Sequence, residues 1–78
     1  MNAPRLPWTE IAPRTYQAMA AVKTTYARST LGQVLMSLVD LRVSQINGCA
    51  YCVDMHAREL RHLGEGWQRL NSLCTWRE

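Results

Sequence analysis

The fold is decided by residues 38–65, which read LVDLRVSQINGCAYCVDMHARELRHLGE. Apolar side chains recur in this stretch at steps of three and four residues, which predicts helices. The dipeptide Asn47-Gly48 would normally indicate a hairpin, but its flanks follow the helical period, so we predict that it separates two helices. Gly64 lies where a left-handed helix terminus favours glycine.

Outward from this stretch, the sequence predicts an all-α fold, a small bundle of about four helices with short links. The predicted helices run from Pro13 to about Arg28, from Leu31 to Ile46, from about Cys49 to Leu63, and from Trp67 to about Trp76. Apolar positions cover well over half the circumference of the second helix, which predicts burial on several sides. Residues 1–10 contain two prolines, and we predict an extended arm that docks.

The chain has 78 residues, 47% of them hydrophobic, so residues 1–78 are predicted to form a single small domain. A folded chain of this size buries only about 60% of the surface that its unfolded form exposes. A disulfide, a metal or a partner subunit must therefore supplement the core.

Charge and hydropathy argue against two classes of partner. The net charge is +3, but the nine Lys and Arg residues are scattered, so no contiguous basic face for nucleic acid is expected. No apolar run approaches the ~18 residues of a membrane span, and Arg42 interrupts the longest one. The first ten residues lack the apolar stretch of a secretory signal, so the expected compartment is the cytoplasm.

Three side chains near the start of the third helix suggest redox chemistry. Cys49 and Cys52 are three residues apart, close enough on a helix for a disulfide, and His56 follows Cys52 by four residues. A helix N-terminus favours thiolate, and an imidazole can take the thiol proton. The second thiol can then attack the oxidised first one. We expect no cofactor, because sulfur carries the electrons.

Two other interpretations of the cysteines remain open at this point. The pair could be half of a zinc site with His56 as a third ligand, although Cys74 and His62 would have to fold back to complete it. The two cysteines could also be buried and inert. A thioredoxin-like site would require flanking strands, and the pattern predicts none.

Residues 42–56 resemble the signature of the carboxymuconolactone decarboxylase superfamily, specifically its alkylhydroperoxidase D-like branch. The positions in register are Ser44-Gln45, Asn47-Gly48-Cys49, Tyr51-Cys52 and His56. The resemblance implies an all-helical fold completed by homo-oligomerisation and a dithiol–disulfide cycle that reduces organic hydroperoxides with a thiol or dithiol-protein reductant. By matching position, Cys52 is the peroxidatic cysteine, Cys49 the resolving cysteine and His56 part of the proton relay.

The sequence departs from the branch in three places. Ser37 stands where the best-studied peroxidases have a relay glutamate, and serine cannot accept a proton near neutral pH. Asp40, one helical step away, could substitute or could be an ordinary helix carboxylate. Tyr51 stands where some members have histidine. Members usually continue with further helices, so the chain is either a truncated product or a compact variant. In both cases we expect an uncovered apolar face, which an oligomer would cover.

Two alternative functions follow from the same resemblance. One is the lactone decarboxylation of the superfamily, which needs proton transfer next to a carbonyl. The other is a non-catalytic oligomeric member, suggested by Ser37 and the short length. Outside the motif, we predict that Cys74 is a small buried hydrophobe and that Trp67 and Trp76 are packing residues.

Overall fold

The computed structural model describes residues 5–78, and its regular structure in that range is entirely helical. The predicted all-α fold is therefore confirmed. The elements are α1 (Trp8–Ile11), α2 (Pro13–Tyr26), α3 (Gln33–Asn47), α4 (Ala50–His62) and α5 (Trp67–Ser72), followed by a 3₁₀ turn at Leu73–Thr75. The chain divides into two compact units, one ending at Gly32 and the other formed by Gln33–Glu78. The prediction of a single domain stays a prediction.

Helix α1 corrects the prediction of an extended arm over residues 1–10, of which residues 1–4 lie outside the described part. The carbonyl of Pro7 accepts hydrogen bonds from the backbone N–H groups of Glu10 (2.9 Å) and Ile11 (3.0 Å). Proline is tolerated before a helix because the first N–H groups have no partner in the helix. The rings of Trp8 and Tyr16 meet edge to face at 5.3 Å, which joins α1 to α2.

Helix α2 confirms the first predicted helix, with Pro13 in its first turn, and ends at Tyr26. The prediction carried it two residues further, to Arg28. No residue among residues 5–32 is buried, and the apolar side chains of Met19 and Val22 are exposed. This unit therefore has no hydrophobic core within the described chain.

The second unit has a core built from α3, α4 and α5. Its members are buried leucines, namely Leu38, Leu41, Leu60 and Leu70. Partly buried side chains surround them, namely Val34, Val53, Ala57 and Leu73. The predicted start of α3 at Leu31 is wrong, because Gly32 has a left-handed backbone (φ 87°) and the helix begins at Gln33.

Helix α3 buries one side, which corrects the prediction of burial on several sides. Ser37, Leu38, Leu41 and Ser44 are its buried residues. Within the second unit only α4 and the C-terminal segment pack against this helix, so its other apolar side chains stay exposed. These form an outward stripe at helical spacing, namely Leu35, Val39, Val43 and Ile46.

The C-terminal segment is less regular than predicted. The fourth predicted helix was to reach Trp76, but α5 stops at Ser72 and the 3₁₀ turn follows. Cys74 is exposed, so its prediction as a buried hydrophobe is wrong. Trp67 and Trp76 are also largely exposed, at 59% and 61%. The guanidinium group of Arg61 lies over the ring of Trp67, and that of Arg77 lies over the ring of Trp76.

A search of the described helices for one both long and apolar enough to cross a membrane finds none.

Candidate redox site at the start of helix α4

The site begins where α3 ends. Gly48 has a left-handed backbone (φ 67°), a conformation that costs glycine little. Its N–H donates to the carbonyl of Gln45 (3.2 Å), and the N–H of Cys49 donates to the carbonyl of Ser44 (3.1 Å). These two bonds form a Schellman motif, which satisfies the last carbonyls of α3. The separation of two helices at Asn47-Gly48 is thus confirmed, and Cys49 is held by the end of α3.

Cys49 is also the N-cap of α4. Its backbone is extended (φ −87°, ψ 100°), and its carbonyl accepts from the N–H of Val53 (3.0 Å). Its sulfur accepts from the N–H of Cys52 (3.2 Å), in the manner of a capping side chain. One residue therefore closes the preceding helix with its amide and opens the next with its carbonyl and sulfur.

Cys49 and Cys52 form a disulfide, with their Cα atoms 5.3 Å apart. Both residues are partly buried. The bond lies at the N-terminus of α4, where the N–H of Cys52 donates to the sulfur of Cys49 and the helix dipole has its positive end. The pairing of the two cysteines that the sequence spacing allows is therefore present.

His56 is one helical turn beyond Cys52 and is 7% exposed. Its Nδ1 lies 2.9 Å from Oε2 of Glu59, within hydrogen-bond distance. No hydrogen bond joins His56 to either sulfur atom in this disulfide form, within residues 5–78. A disulfide carries no proton for an imidazole to accept, so this arrangement fits the oxidised state.

Glu59 is the site residue that the sequence interpretation missed. The resemblance indicates a relay carboxylate upstream, at the position of Ser37 or at nearby Asp40. The available signal was the spacing of Glu59 from His56, since residues three apart on a helix are neighbours. The structure gives His56 its carboxylate from its own helix.

The upstream candidates do not contact the histidine. Ser37 is buried on α3. Asp40 is partly buried, and its backbone carbonyl accepts from the hydroxyl of Ser44 (2.7 Å). Neither forms a hydrogen bond or ion pair with His56 in the part of the chain that the structure describes. Tyr51, between the two cysteines, is 65% exposed.

The zinc alternative requires a cluster of ligands. Across residues 5–78, no group of three or more His, Cys, Asp and Glu side chains is arranged to hold a metal ion. Cys74, one of the two residues proposed to complete such a site, lies on the exposed C-terminal segment, where its sulfur contacts the carbonyl of Asn71 (3.7 Å).

Comparison with known proteins gives two findings. The model of the carboxymuconolactone decarboxylase family matches residues 13–78, which include all the residues of the site. The uncharacterized protein YdfG of Bacillus subtilis (strain 168) is 38% identical over 74 residues, which are 95% of this chain and 50% of YdfG. The chain thus spans about half the length of this curated relative. The family match confirms the resemblance that residues 42–56 indicate.

Proposed function

This chain belongs to the carboxymuconolactone decarboxylase family, and from that premise we propose that it is a thiol-dependent peroxidase and disulfide reductase of the alkylhydroperoxidase type. The observation that carries the proposal is the Cys49–Cys52 disulfide at the N-terminus of α4. A two-residue spacing in the first turn of a helix brings two thiols together and favours thiolate there. His56 one turn further along supplies an imidazole, a group that can accept a thiol proton and return it.

The reaction begins with the reduced enzyme. His56 takes the proton of the Cys52 thiol, and the thiolate attacks the terminal oxygen of an organic hydroperoxide. The O–O bond breaks, Cys52 becomes a sulfenic acid, and the leaving alkoxide takes the proton back from the imidazolium as it becomes an alcohol. The peroxide gains two electrons, and the sulfur of Cys52 loses two.

The second step closes the disulfide. The sulfur of Cys49 attacks that of Cys52, the S–O bond breaks, and the hydroxyl leaves as water with the proton of the Cys49 thiol. The product is the Cys49–Cys52 bond. An external dithiol, small or carried by a protein, then returns two electrons and two protons and is itself oxidised to a disulfide.

The setting follows from the same chemistry. A cycle that needs dithiol reductant belongs in a compartment where thiols are kept reduced, and we propose the cytoplasm. We also propose that the chain works as a homo-oligomer, because the exposed apolar stripe of α3 needs a covering surface. Its residues are Leu35, Val39, Val43 and Ile46.

Consumption of cumene hydroperoxide with dithiothreitol as reductant tests the proposal. We expect turnover in the wild type and none in Cys52→Ser. Cys74→Ser is the matched control, since it removes the remaining cysteine, which is exposed and outside the site. Equal turnover in Cys52→Ser and the wild type would falsify the proposal.

The order of the two cysteines is tested separately with Cys49→Ser. In this variant the sulfenic acid on Cys52 has no resolving thiol, so dimedone added with one equivalent of hydroperoxide is expected to label Cys52. Mass spectrometry of the peptide locates the label. Labelling of Cys49 in Cys52→Ser, with none of Cys52 in Cys49→Ser, would reverse the assignment.

The name of the family refers to a different reaction, decarboxylation, and the cysteine variants distinguish it from peroxide reduction. A decarboxylase acts by proton transfer and has no use for a redox pair. If the variant lacking both Cys49 and Cys52 still released carbon dioxide from a carboxymuconolactone, decarboxylation would replace the peroxidase proposal. A non-catalytic member would show neither activity in the wild type.

A further inference from the structure

The contact between His56 and Glu59 fixes which ring nitrogen carries the proton. An ionised carboxylate only accepts hydrogen bonds, so Nδ1 of His56 must be the donor across the 2.9 Å contact with Oε2 of Glu59. A neutral imidazole has one N–H, and the other nitrogen bears a lone pair. With the proton on Nδ1, the nitrogen that accepts a proton is Nε2.

The burial of His56 makes the partner of each ring nitrogen important for which of them carries the proton. His56 is 7% exposed, so water has little access to compete for its ring nitrogens. The side chain of Glu59 is 37% exposed, so the carboxylate keeps part of its hydration while it accepts the bond. Leaving a buried polar nitrogen without its partner costs free energy, and the Glu59 contact prevents that at Nδ1.

The position of Glu59 on α4 argues for a role beyond helix stability. The helix ends at His62, so Glu59 lies in its last turn, near the negative end of the helix dipole. A carboxylate there is unfavourable for the helix, whereas the positive charge of Arg61 in the same turn is favourable. Glu59 occupies this position with its Oε2 2.9 Å from Nδ1 of His56.

We propose that Glu59 is a positioning residue that holds His56 with its proton on Nδ1, so that Nε2 exchanges the proton with the thiol of Cys52 and the leaving alkoxide. This inference rests on the proposed peroxidase function for its catalytic consequence. The hydrogen bond and the protonation of the ring do not depend on that function. Glu59 thus does from the histidine's own helix what the upstream position occupied by Ser37 cannot.

Nitrogen-15 NMR of the imidazole tests the positioning directly, because the two ring nitrogens give different shifts in each tautomer. The chain has two histidines, so the spectra are taken in a His62→Gln background, which removes the exposed one. In the neutral ring we expect the proton on Nδ1. In Glu59→Leu we expect it to move largely to Nε2. An unchanged tautomer in Glu59→Leu would overturn the inference.

Kinetics supply the second measurement. Oxidation of the reduced thiols by cumene hydroperoxide is expected to slow by about tenfold to a hundredfold in Glu59→Leu. This is at or below the lower end of what general acid–base catalysis contributes, because the variant keeps the imidazole and loses only its positioning. Glu59→Gln retains an oxygen that can accept from Nδ1, so its rate should fall between the two. Asp54→Leu is the control, because it removes a carboxylate of the same helix that pairs with Arg58 at the surface (3.1 Å), and its rate should match the wild type.

The two proposals fail in different ways. If the wild type holds its proton on Nδ1 but consumes no hydroperoxide, the peroxidase function is wrong and the positioning by Glu59 stands. If the wild type is active and Glu59→Leu moves the tautomer without slowing thiol oxidation, the catalytic role of Glu59 is wrong.

Discussion

The two helix junctions of the second unit use the same backbone device and serve different ends. Gly64 is left-handed (φ 92°), its N–H donates to the carbonyl of Arg61 (3.0 Å), and the N–H of Glu65 donates to the carbonyl of Leu60 (2.9 Å). This is the same pair of bonds that Gly48 and Cys49 form at the end of α3. The backbone therefore does not distinguish the junctions.

The side chain after each glycine does distinguish them. Cys49 caps α4 with no spacer and carries one half of the disulfide. At the other junction, Glu65 pairs with Arg69 (3.6 Å), and Gly66 starts α5 without a side-chain hydrogen bond. The shared turn therefore fixes where the residue after the glycine lies, and the sulfur of Cys49 at that place makes redox chemistry possible.

The largest expected loss of stability is at the junction around Gly64, here called the structural junction; the junction around Gly48 is called the redox junction. Leu60, whose carbonyl accepts the second bond there, is fully buried, so Leu60→Ala should lower the free energy of unfolding by about 2–5 kcal/mol. Chemical denaturation at fixed protein concentration measures it. Ser44 holds the matching position at the redox junction, and Ser44→Ala should cost less, because it removes a hydroxyl bond and no core volume. A larger loss of stability in Ser44→Ala than in Leu60→Ala would contradict this expectation.

Replacing the two glycines distinguishes the effect of the turn on stability from its effect on the disulfide. Gly48→Ala and Gly64→Ala should each cost about 1–2 kcal/mol, because alanine resists a left-handed backbone. An added Cβ meets nothing within 4 Å at either position, so the cost is conformational. Only Gly48→Ala should shift the equilibrium of the Cys49–Cys52 disulfide in a glutathione buffer. An equal shift in Gly64→Ala would show that the junctions are coupled. Asparagine at either position should recover part of the stability.

A smaller effect is expected from the capping sulfur. In the reduced protein, Cys49→Ala removes the acceptor for the N–H of Cys52 and should cost about 0.5–1 kcal/mol, toward the lower end of the range for capping side chains. Denaturation of the reduced Cys49→Ala and Cys49→Ser proteins checks this. Serine is a good N-cap, so it should retain the stability that alanine loses, although neither forms the disulfide. Equal stability of reduced Cys49→Ala and the reduced wild type would mean that the sulfur does not cap α4.

The smallest effect is expected at the residue that follows Gly64. The pair between Glu65 and Arg69 spans 3.6 Å, and Arg69 is well exposed, so Glu65→Gln should change stability by about 0.5 kcal/mol or less. Its thiol oxidation rate should equal that of the wild type. A rate change would give the structural junction a part in the chemistry.

The sequence predicted the junctions well because glycine carries the signal itself. Asn47-Gly48 and Gly64 both mark helix ends, since only glycine adopts a left-handed backbone at low cost. Cys49, Cys52 and His56 could be placed from spacing along one helix. The roles assigned to them by resemblance stay predictions.

Features that depend on long-range packing were predicted less well. The burial of α3 on several sides assumed that every apolar position is covered, whereas Val39 and Ile46 remain 46% and 68% exposed. Cys74 was assigned to the interior from its residue type alone, and it is exposed. Glu59 was not predicted because the resemblance indicates the position of Ser37 for the carboxylate. The helical spacing from His56 would have indicated Glu59.

The short span of the disulfide has a consequence for how the molecule responds to an oxidant. Only two residues separate its cysteines, because Cys49 is the N-cap of α4 and Cys52 lies in the first turn of the same helix. A bond this local restrains the chain less than one that closes a long loop. We therefore expect the second unit to keep the same backbone in the oxidised and reduced states, so that a binding protein finds no change of shape there to recognise. Such a molecule would consume an oxidant as a substrate, and it would not signal the oxidation through a change of conformation as a redox sensor does.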